Sequence, residues 1–177
     1  MAGHSARWGF HELDPRWATR LVAFAAVEPG DLVLDIGAGT GAITAALVHA
    51  GASVVAVELH PRRAAALQHR FAGRPVRVVR ADASELRLPR RRFKVVANPP
   101  FAITTALLRS LTRPTSQLTH GALVLPRWAT MRWAGGRGVG EPTSTRRYDF
   151  AAGPAVPTKA LHPPPPESPR VLLVARR

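Results

Sequence analysis

The chain has 177 residues, of which 46% are apolar and 20% charged, and its formal net charge is +14. This length and apolar content suit one folded domain with a buried core and exclude a largely disordered chain. The absence of cysteine excludes a disulfide scaffold, a thiolate metal site and a cysteine nucleophile. The excess of 25 Lys and Arg over 11 Asp and Glu favours a polyanionic partner, either nucleic acid or an acidic membrane surface.

The sequence contains no run of about 18 apolar residues, which predicts that no helix spans a membrane. Residues 1–9 lack the apolar segment of a signal peptide. We therefore expect a cytoplasmic protein.

The chain opens with a short arm, residues 1–15, that ends at Asp14-Pro15. Asp14 suits the N-cap of a helix and Pro15 its first turn, which predicts a helix over residues 17–27. After this helix, short apolar runs alternate with helical patterns. We predict strands over residues 32–36, 53–57, 76–79, 93–97 and 118–125, and helices over residues 42–50, 62–71 and 104–111.

This alternation is typical of βαβ units and predicts an α/β fold with a parallel sheet and helices on both faces. In the remaining part, Trp128 and Trp133 are spaced as on a helix, which favours packing over stacking on RNA. The other predictions there are a flexible loop over residues 134–144, a strand over 146–156, a polyproline segment over 163–166 and a final strand over 171–174.

Ligands of an open α/β sheet bind beyond the carboxyl ends of its strands, so the residues that follow each strand are the candidate site residues. Asp35 lies at the end of the first strand, and Gly37, Gly39 and Gly41 follow it. Glycine lets a ligand approach the backbone closely, although this G-x-G-x-G spacing also suits a tight turn without a ligand.

Acidic residues follow the next two strands. Glu58 lies about 20 positions past the glycine loop, where a carboxylate accepts hydrogen bonds from ribose hydroxyls; a surface glutamate is the alternative. Asp82 and Ala83 follow the third strand. The carboxylate of Asp82 suits the exocyclic amine of an adenine, and an Asx turn or a helix N-cap is the alternative.

The fourth strand ends in the sequence Asn98-Pro99-Pro100-Phe101. Its two prolines remove two backbone donors, so the Asn98 side-chain oxygen and the Pro99 carbonyl are acceptors without a local partner. An aromatic ring follows at once. The arrangement suits a planar amine, with acceptors in the plane and a ring against the face; an ordinary Asn-Pro turn is the alternative.

In these stretches the chain resembles class I S-adenosylmethionine-dependent methyltransferases. More narrowly, it resembles the rRNA adenine N6-methyltransferases, namely the Erm macrolide-resistance enzymes and their KsgA-type relatives, and the ANPPF and VELHPR forms look more like Erm. The resemblance covers most of residues 14–125 and returns over residues 161–174. The stretches that carry it are VLDIGAGTGAIT (33–44), VVAVELHPR (54–62), RADASEL (80–86) and VANPPF (96–101).

The resemblance implies a Rossmann-like fold with a mostly parallel seven-stranded sheet and helices on both faces, and S-adenosylmethionine as the cofactor. For the target base it implies that Asn98 and the Pro99 carbonyl hold N6 while Phe101 stacks on the ring. For the cofactor it implies binding by Asp35, Gly37, Gly39, Gly41, Glu58, Asp82, Ala83 and Asn98.

Two positions differ from the family pattern. The family arm usually carries Gln-Asn-Phe-Leu, whereas this chain has Gly9-Phe10-His11-Glu12, in which His11 is the candidate substitute. Leu161 stands where the family has a second aromatic residue that clamps the target base. We expect one catalytic domain over residues 1–177 without the family's C-terminal helical domain; it comprises the arm (1–15), a cofactor-binding core (16–125) and a basic loop region with the final strands (126–177).

Arginines are the candidate RNA-binding residues, and we expect them to form a phosphate-binding rim around the pocket. From residue 113 onward, ten Lys and Arg stand against three Asp and Glu. The candidates are Arg90, Arg91, Arg92, Arg109, Arg113, Arg127, Arg132, Arg137, Arg146 and Arg147.

We therefore predict methyl transfer to N6 of a specific adenine in 23S rRNA, which gives resistance to macrolide, lincosamide and streptogramin antibiotics. The expected partner is 23S rRNA or the assembling large ribosomal subunit, and we expect a monomer that needs neither a metal nor a membrane. The alternatives are a methyltransferase for small-subunit rRNA or DNA adenine, and a catalytically weak cofactor-binding or RNA-binding protein.

Overall fold

The computed structural model describes residues 11–136 and 147–177. Its helices are α1 (Pro15–Phe24), α2 (Ala42–His49), α3 (Pro61–Arg70), α4 (Thr104–Thr112) and α5 (Arg127–Ala134). Its strands are β1 (Glu12–Leu13), β2 (Leu32–Ile36), β3 (Ser53–Val57), β4 (Val76–Val79), β5 (Phe93–Ala97), β6 (Leu118–Leu125), β7 (Tyr148–Ala155), β8 (Leu161–His162) and β9 (Arg170–Arg176). None of the helices in these two ranges has the length and apolar character needed to cross a membrane.

Seven strands form the main sheet, in the order β4-β3-β2-β5-β6-β9-β7. The strands from β4 to β6 are parallel, and β9 is antiparallel to both of its neighbours. This confirms the predicted mostly parallel seven-stranded α/β sheet. We call the edge where the parallel strands end the carboxyl edge, and the opposite edge the amino edge.

Helices pack on both faces of the sheet, as predicted. On one face, α1 and α2 bury Leu21 and Leu47 against the strands, and α3 adds Leu67 beside them. On the other face, α4 and α5 bury Leu107 and Trp133. Because the central strands are covered on both sides, they are mostly apolar; all five residues of β5, Lys94 among them, are buried.

The five strands predicted before residue 126 are confirmed residue for residue as β2 to β6. Helix α1 begins and ends earlier than predicted. It begins at Pro15 because Asp14 caps it, accepting a 2.8 Å hydrogen bond from the backbone N–H of Arg16. It ends at Phe24, and Ala26 then adopts a φ of +47°, which a continuing helix does not allow.

The region after β6 differs in part from the prediction. The spacing of the two tryptophans does correspond to a helix, α5; Trp133 is buried, but Trp128 is 57% exposed, so packing explains only the first. The loop predicted from Ala134 is wrong at its start, because Ala134 is the last residue of α5, and residues 137–144 lie outside the described part.

A second sheet of two short strands attaches the arm to the rest of the molecule. In it, β1 pairs antiparallel with β8, with Leu13 opposite Leu161, and the backbone N–H of Asp14 donates to the Ala160 carbonyl at 2.9 Å. The sequence did not predict this sheet. Its effect is to hold the arm at the carboxyl edge, beside the residues predicted to form the site.

Candidate active site

The glycine loop between β2 and α2 requires glycine for steric reasons. Gly37, Gly39 and Gly41 have φ angles of +78°, +58° and +93°, which side chains rarely tolerate. A Cβ on Gly41 would lie 2.8 Å from the side chains of Leu67 and Phe71. The loop is therefore a tight turn built for close packing, and Gly39 and Gly41 are buried in it.

Asp35, the residue before the last of β2, fixes this loop to helix α2. Its side chain is fully buried, and its Oδ2 accepts a 2.6 Å hydrogen bond from the Thr44 hydroxyl in α2. Burial raises the pKa of Asp35 to about 7 against the lowering effect of the Thr44 hydrogen bonds, and the negative charge of Glu58 adds to the rise. Asp35 thus joins β2 to α2.

Glu58 links the glycine loop to β3. It is only 3% exposed, and its Oε2 accepts from the Gly39 backbone N–H at 2.9 Å. Its Oε1 accepts from the His60 backbone N–H at 2.8 Å and from the Arg63 guanidinium at 3.1 Å. The surface-glutamate alternative is therefore wrong. Each carboxylate oxygen can accept two hydrogen bonds, and within residues 11–136 and 147–177 Oε2 accepts only one, which leaves an acceptor site for a ligand hydroxyl.

Asp82 caps a short 3₁₀ turn, Ala83–Glu85, that follows β4. Its Oδ1 accepts from the Ser84 backbone N–H at 2.8 Å and from the Ser84 hydroxyl at 2.7 Å. These bonds, the one from the hydroxyl above all, lower the pKa of Asp82, so the group is ionised at neutral pH. The N-cap interpretation is confirmed, and the exposed carboxylate keeps its second oxygen for an amine.

The Asn98-Pro99-Pro100-Phe101 segment leaves β5 next to the arm. The Asn98 side-chain N–H donates to the His11 carbonyl at 2.6 Å. Within the described residues, neither the Asn98 side-chain oxygen nor the Pro99 carbonyl accepts a hydrogen bond. The half-buried ring of Phe101 follows them. The predicted pair of free acceptors beside an aromatic ring is therefore present.

His11 is the site residue whose role the sequence described least well. Besides holding the Asn98 amide, it makes a 2.6 Å hydrogen bond between its Nδ1 and the Pro163 carbonyl. Because a carbonyl only accepts, Nδ1 is the donor. The imidazole also lies 5.5 Å from the Phe101 ring, centroid to centroid. His11 thus joins the arm, the loop before β9 and the base-binding segment.

The arm lies directly on the glycine loop. The Thr40 hydroxyl donates to the Glu12 carboxylate, and the cavity between the arm and Gly37, Ala38 and Asn98 has a volume of about 20 Å³. Pockets for drug-sized ligands have volumes of roughly 300–1,000 Å³. A nucleoside-sized ligand therefore does not fit into this cavity. No sequence signal indicated the contact between Thr40 and Glu12.

Leu161 does not line the site. It is fully buried in the core, opposite Leu13 in the small sheet. In this chain the position corresponding to the family's second aromatic therefore packs and offers no ring to a base.

The structure does not bring the predicted arginines together around the site. Arg127 begins α5 at the carboxyl edge, with Arg132 further along that helix, and Arg109 lies in the last turn of α4. Arg137 and Arg146 lie outside the described residues. The other five arginines precede strands that run toward the carboxyl edge, so they lie at the amino edge: Arg90, Arg91, Arg92, Arg113 and Arg147. The Arg147 guanidinium donates a hydrogen bond to the Pro114 carbonyl.

No group of three or more His, Asp or Glu in the described ranges is arranged to hold a metal ion. The site itself contains hydrogen-bond acceptors, the carboxylates of Glu58 and Asp82, a tight glycine loop and aromatic rings. Such a site suits the binding of a nucleoside-like cofactor next to a planar amine.

A family model, curated relatives and solved structures all match this chain. A model of the ribosomal RNA adenine dimethylase family matches residues 8–146. The mycinamicin-resistance protein MyrB of Micromonospora griseorubida is 35% identical over 178 residues, covering 96% of this chain and 56% of that protein. The rRNA adenine N-6-methyltransferase of Corynebacterium diphtheriae is 31% identical over 147 residues, covering 81% and 57%.

A ribosomal RNA small subunit methyltransferase A from Synechococcus is 46% identical over 121 residues, covering 63% of this chain and 44% of that protein. The chain thus spans about half the length of these curated relatives. Among solved structures, the 23S rRNA methyltransferase ErmE superposes with a TM-score of 0.83 at 23% identity, covering 95% of this chain and 70% of that one. A dimethyladenosine transferase from Plasmodium falciparum gives 0.79 at 22% identity, covering 94% and 64%, and both share the fold.

Proposed function

Because this chain belongs to the ribosomal RNA adenine dimethylase family, we propose that it transfers a methyl group from S-adenosylmethionine to N6 of an adenine in 23S rRNA. The consequence would be resistance to macrolide, lincosamide and streptogramin antibiotics. The similarity to a mycinamicin-resistance protein over 96% of the chain supports this substrate. The observation that carries the proposal is the pair of free acceptors, the Asn98 side-chain oxygen and the Pro99 carbonyl, beside Phe101.

The residues at the carboxyl edge fit the proposed cofactor. The glycine loop would back its methionine part, and Asp35 fixes that loop. The free acceptor site on Glu58 Oε2 suits a ribose hydroxyl, and the ionised Asp82 suits the adenine amine, with the Ala83 backbone beside it. When bound, the cofactor supplies an activated methyl group on a sulfonium.

The target amine is a poor nucleophile because the lone pair of an aromatic amine is delocalised into its ring. The Asn98 oxygen and the Pro99 carbonyl accept the two N6 hydrogens, which favours a tetrahedral nitrogen whose lone pair faces the methyl group. The same oxygens stabilise the positive charge that develops on N6 during transfer. Phe101 stacks on the base and offsets the cost of taking it out of its RNA stack.

The contact between His11 and Asn98 gives this acceptor pair its orientation. An amide has a donor side and an acceptor side, and the His11 carbonyl engages the donor side at 2.6 Å. The oxygen of Asn98 is then held on the side away from the arm. The arm therefore contributes to base capture through its backbone, although it lacks the family's usual amide side chains.

Expression in a bacterial host lacking such methylation tests the substrate. We expect primer extension on 23S rRNA to stop at one adenine, and nucleoside mass spectrometry to detect N6-methylated adenosine in the same RNA. Asn98→Ala should abolish both signals, whereas Gln68→Ala, which removes an exposed amide on α3, should leave them unchanged. Unmodified 23S rRNA from cells that contain the folded wild-type protein would contradict the proposal.

Small-subunit rRNA is the second candidate substrate, favoured by the 46% identity to the Synechococcus enzyme. Transfer of labelled methyl groups to separated 16S rRNA, 23S rRNA and DNA distinguishes these substrates. Cofactor binding in calorimetry without transfer to any of the three would instead indicate a binding protein. On the present proposal, the label enters 23S rRNA, or the assembling large subunit, and the protein acts in the cytoplasm as a monomer.

A further inference from the structure

A groove of about 910 Å³ crosses the sheet on the face that α4 covers further along. Its floor is formed by apolar residues of neighbouring strands, and Leu32, Val55 and Val79 remain only half-buried there. The segment from Glu85 to Arg91 forms one wall, and Arg74 and Arg77 lie on the other. We call this feature the arginine groove. It is open because the described residues place no helix over β3 and β4 on this face.

Positive charge dominates the rim of the arginine groove. Arg74, Arg77, Arg87 and Arg91 are all exposed, whereas Glu85 is the one acidic residue among its lining residues. None of these four guanidinium groups makes an ion pair with a residue in the described ranges. A groove rim of one charge sign attracts a polyanion.

The combination of an apolar floor and a guanidinium rim indicates which polyanion fits. Guanidinium groups bind phosphates through paired hydrogen bonds and also stack on planar groups. The floor suits the faces of unstacked bases or riboses, which a duplex keeps inside its helix. An unpaired RNA segment can use both parts of the groove, whereas a duplex can use only the rim.

The position of the arginine groove connects it with the candidate active site. One end is Ala81, next to Asp82 at the carboxyl edge. From there the groove extends toward the amino edge, where Arg92 and Arg176 line a second recess of about 490 Å³. RNA whose target adenine is held at Asn98 would therefore meet the arginine groove where it continues past Asp82 toward the amino edge.

We propose that the arginine groove binds an unpaired segment of the substrate RNA at a distance from the methylated adenine. This inference rests on the proposed function in one respect, because both take RNA to be the substrate. It gives the arginines of β4 and of the loop before β5 a role as a remote anchor. On this proposal Arg91 contacts RNA at the amino edge, away from Asn98.

The test measures RNA binding without cofactor, so that it does not depend on methylation. The probes are transcribed 23S rRNA and an oligouridylate, which contains no adenine. We compare Arg77→Ala/Arg91→Ala, which changes opposite walls, with Arg16→Ala/Arg20→Ala, which removes two exposed arginines from α1 on the other face. The groove variant should bind both RNAs roughly tenfold more weakly near 0.1 M salt, and the slope of log K against log salt should fall by about 1.4, or about 0.7 for each lost phosphate contact.

A charge-preserving variant, Arg77→Lys/Arg91→Lys, should retain the wild-type salt slope and lose part of the affinity, since lysine cannot form the paired hydrogen bonds. Equal losses in the groove variant and the α1 variant would overturn the proposal, because total charge alone would then explain binding. Unchanged RNA binding together with lost binding of polyglutamate would also overturn it and assign the groove to an acidic polypeptide. If 23S rRNA proves not to be methylated while the oligouridylate result holds, the proposed substrate fails and the groove proposal stands.

Discussion

Substitution of Gly37 by alanine tests whether the glycine loop and the base-binding segment act as one unit. Gly37 has a φ of +78°, and a Cβ there would lie 3.2 Å from Pro100 Cδ, 3.4 Å from Pro99 Cα and 3.5 Å from the Asn98 carbonyl oxygen. The left-handed backbone costs about 1–2 kcal/mol with a side chain present. The close contact with Pro100 adds up to about 1 kcal/mol, since the proline must shift by a few tenths of an ångström.

The functional consequence of Gly37→Ala should exceed its effect on folding. The added methyl group displaces the Asn98-Pro99-Pro100 backbone, and with it both acceptors for the target amine. A misplacement of about 1 Å can lower a rate by about a hundredfold, so a shift of a few tenths of an ångström should lower methyl transfer by roughly tenfold. Urea denaturation and transfer of labelled methyl groups to 23S rRNA measure the two effects.

Gly73→Ala is the matched control, because Gly73 has a similar φ of +73° but nothing lies within 4 Å of its Cβ position. It should lose about 1–2 kcal/mol of unfolding free energy from the backbone alone and keep wild-type transfer. If the two variants lose the same stability and the same activity, the coupling between the glycine loop and the Asn98 segment is wrong.

Three further substitutions address the residues around the glycine loop. Since the pKa of Asp35 is raised to about 7, its contribution to stability is full below about pH 4 and is lost as pH rises toward 7. Across that interval, urea titrations should show the unfolding free energy of Asp35→Asn rising by up to about 4 kcal/mol relative to that of the wild type. The same pH dependence of stability in both proteins would contradict this. Glu58→Gln should weaken cofactor binding in calorimetry by roughly tenfold or more, because it removes a buried charge-assisted acceptor, while RNA affinity without cofactor stays the same. Gly41→Ala should lose about 2–5 kcal/mol of unfolding free energy, since its Cβ would lie 2.8 Å from Leu67 and Phe71; a loss no larger than that of the backbone control would refute the steric argument.

The strands were predictable because burial on both faces of a parallel sheet produces a strong local signal. In β5, for example, Lys94 alone interrupts the apolar run between Arg92 and Asn98-Pro99. The residues that follow such strands could then be assigned to one edge by topology. This reasoning led directly to Glu58, Asp82 and the Asn98 segment.

Long-range contacts of the arm were not predictable in the same way. The two strands that hold it, β1 and β8, have two residues each, and so have no period for a pattern to reveal. The hydrogen bond from Asn98 to His11 joins residues far apart in the chain, and the acceptor is a backbone carbonyl that any residue type provides. Residue identity therefore carries no information about it.

The surface on which the arginines lie could not be predicted from the sequence, for a different reason. Their number indicated a polyanion, but charge counts along a chain do not say which residues share a surface. Since Arg91 precedes β5 and Arg127 follows β6, they lie at opposite edges of the sheet. Only the assembled sheet reveals that Arg77 and Arg91, from separate segments, line one groove.

The most direct test of the proposed chemistry measures methyl transfer and cofactor affinity together for Asn98→Ala. If the Asn98 oxygen serves to capture the target amine, transfer of label to purified 23S rRNA should fall by about a hundredfold or more, while the cofactor dissociation constant from calorimetry changes by no more than about threefold. Equal loss of transfer and of cofactor affinity, or transfer that survives the substitution, would contradict the central claim that Asn98 and Pro99 hold N6 for methylation.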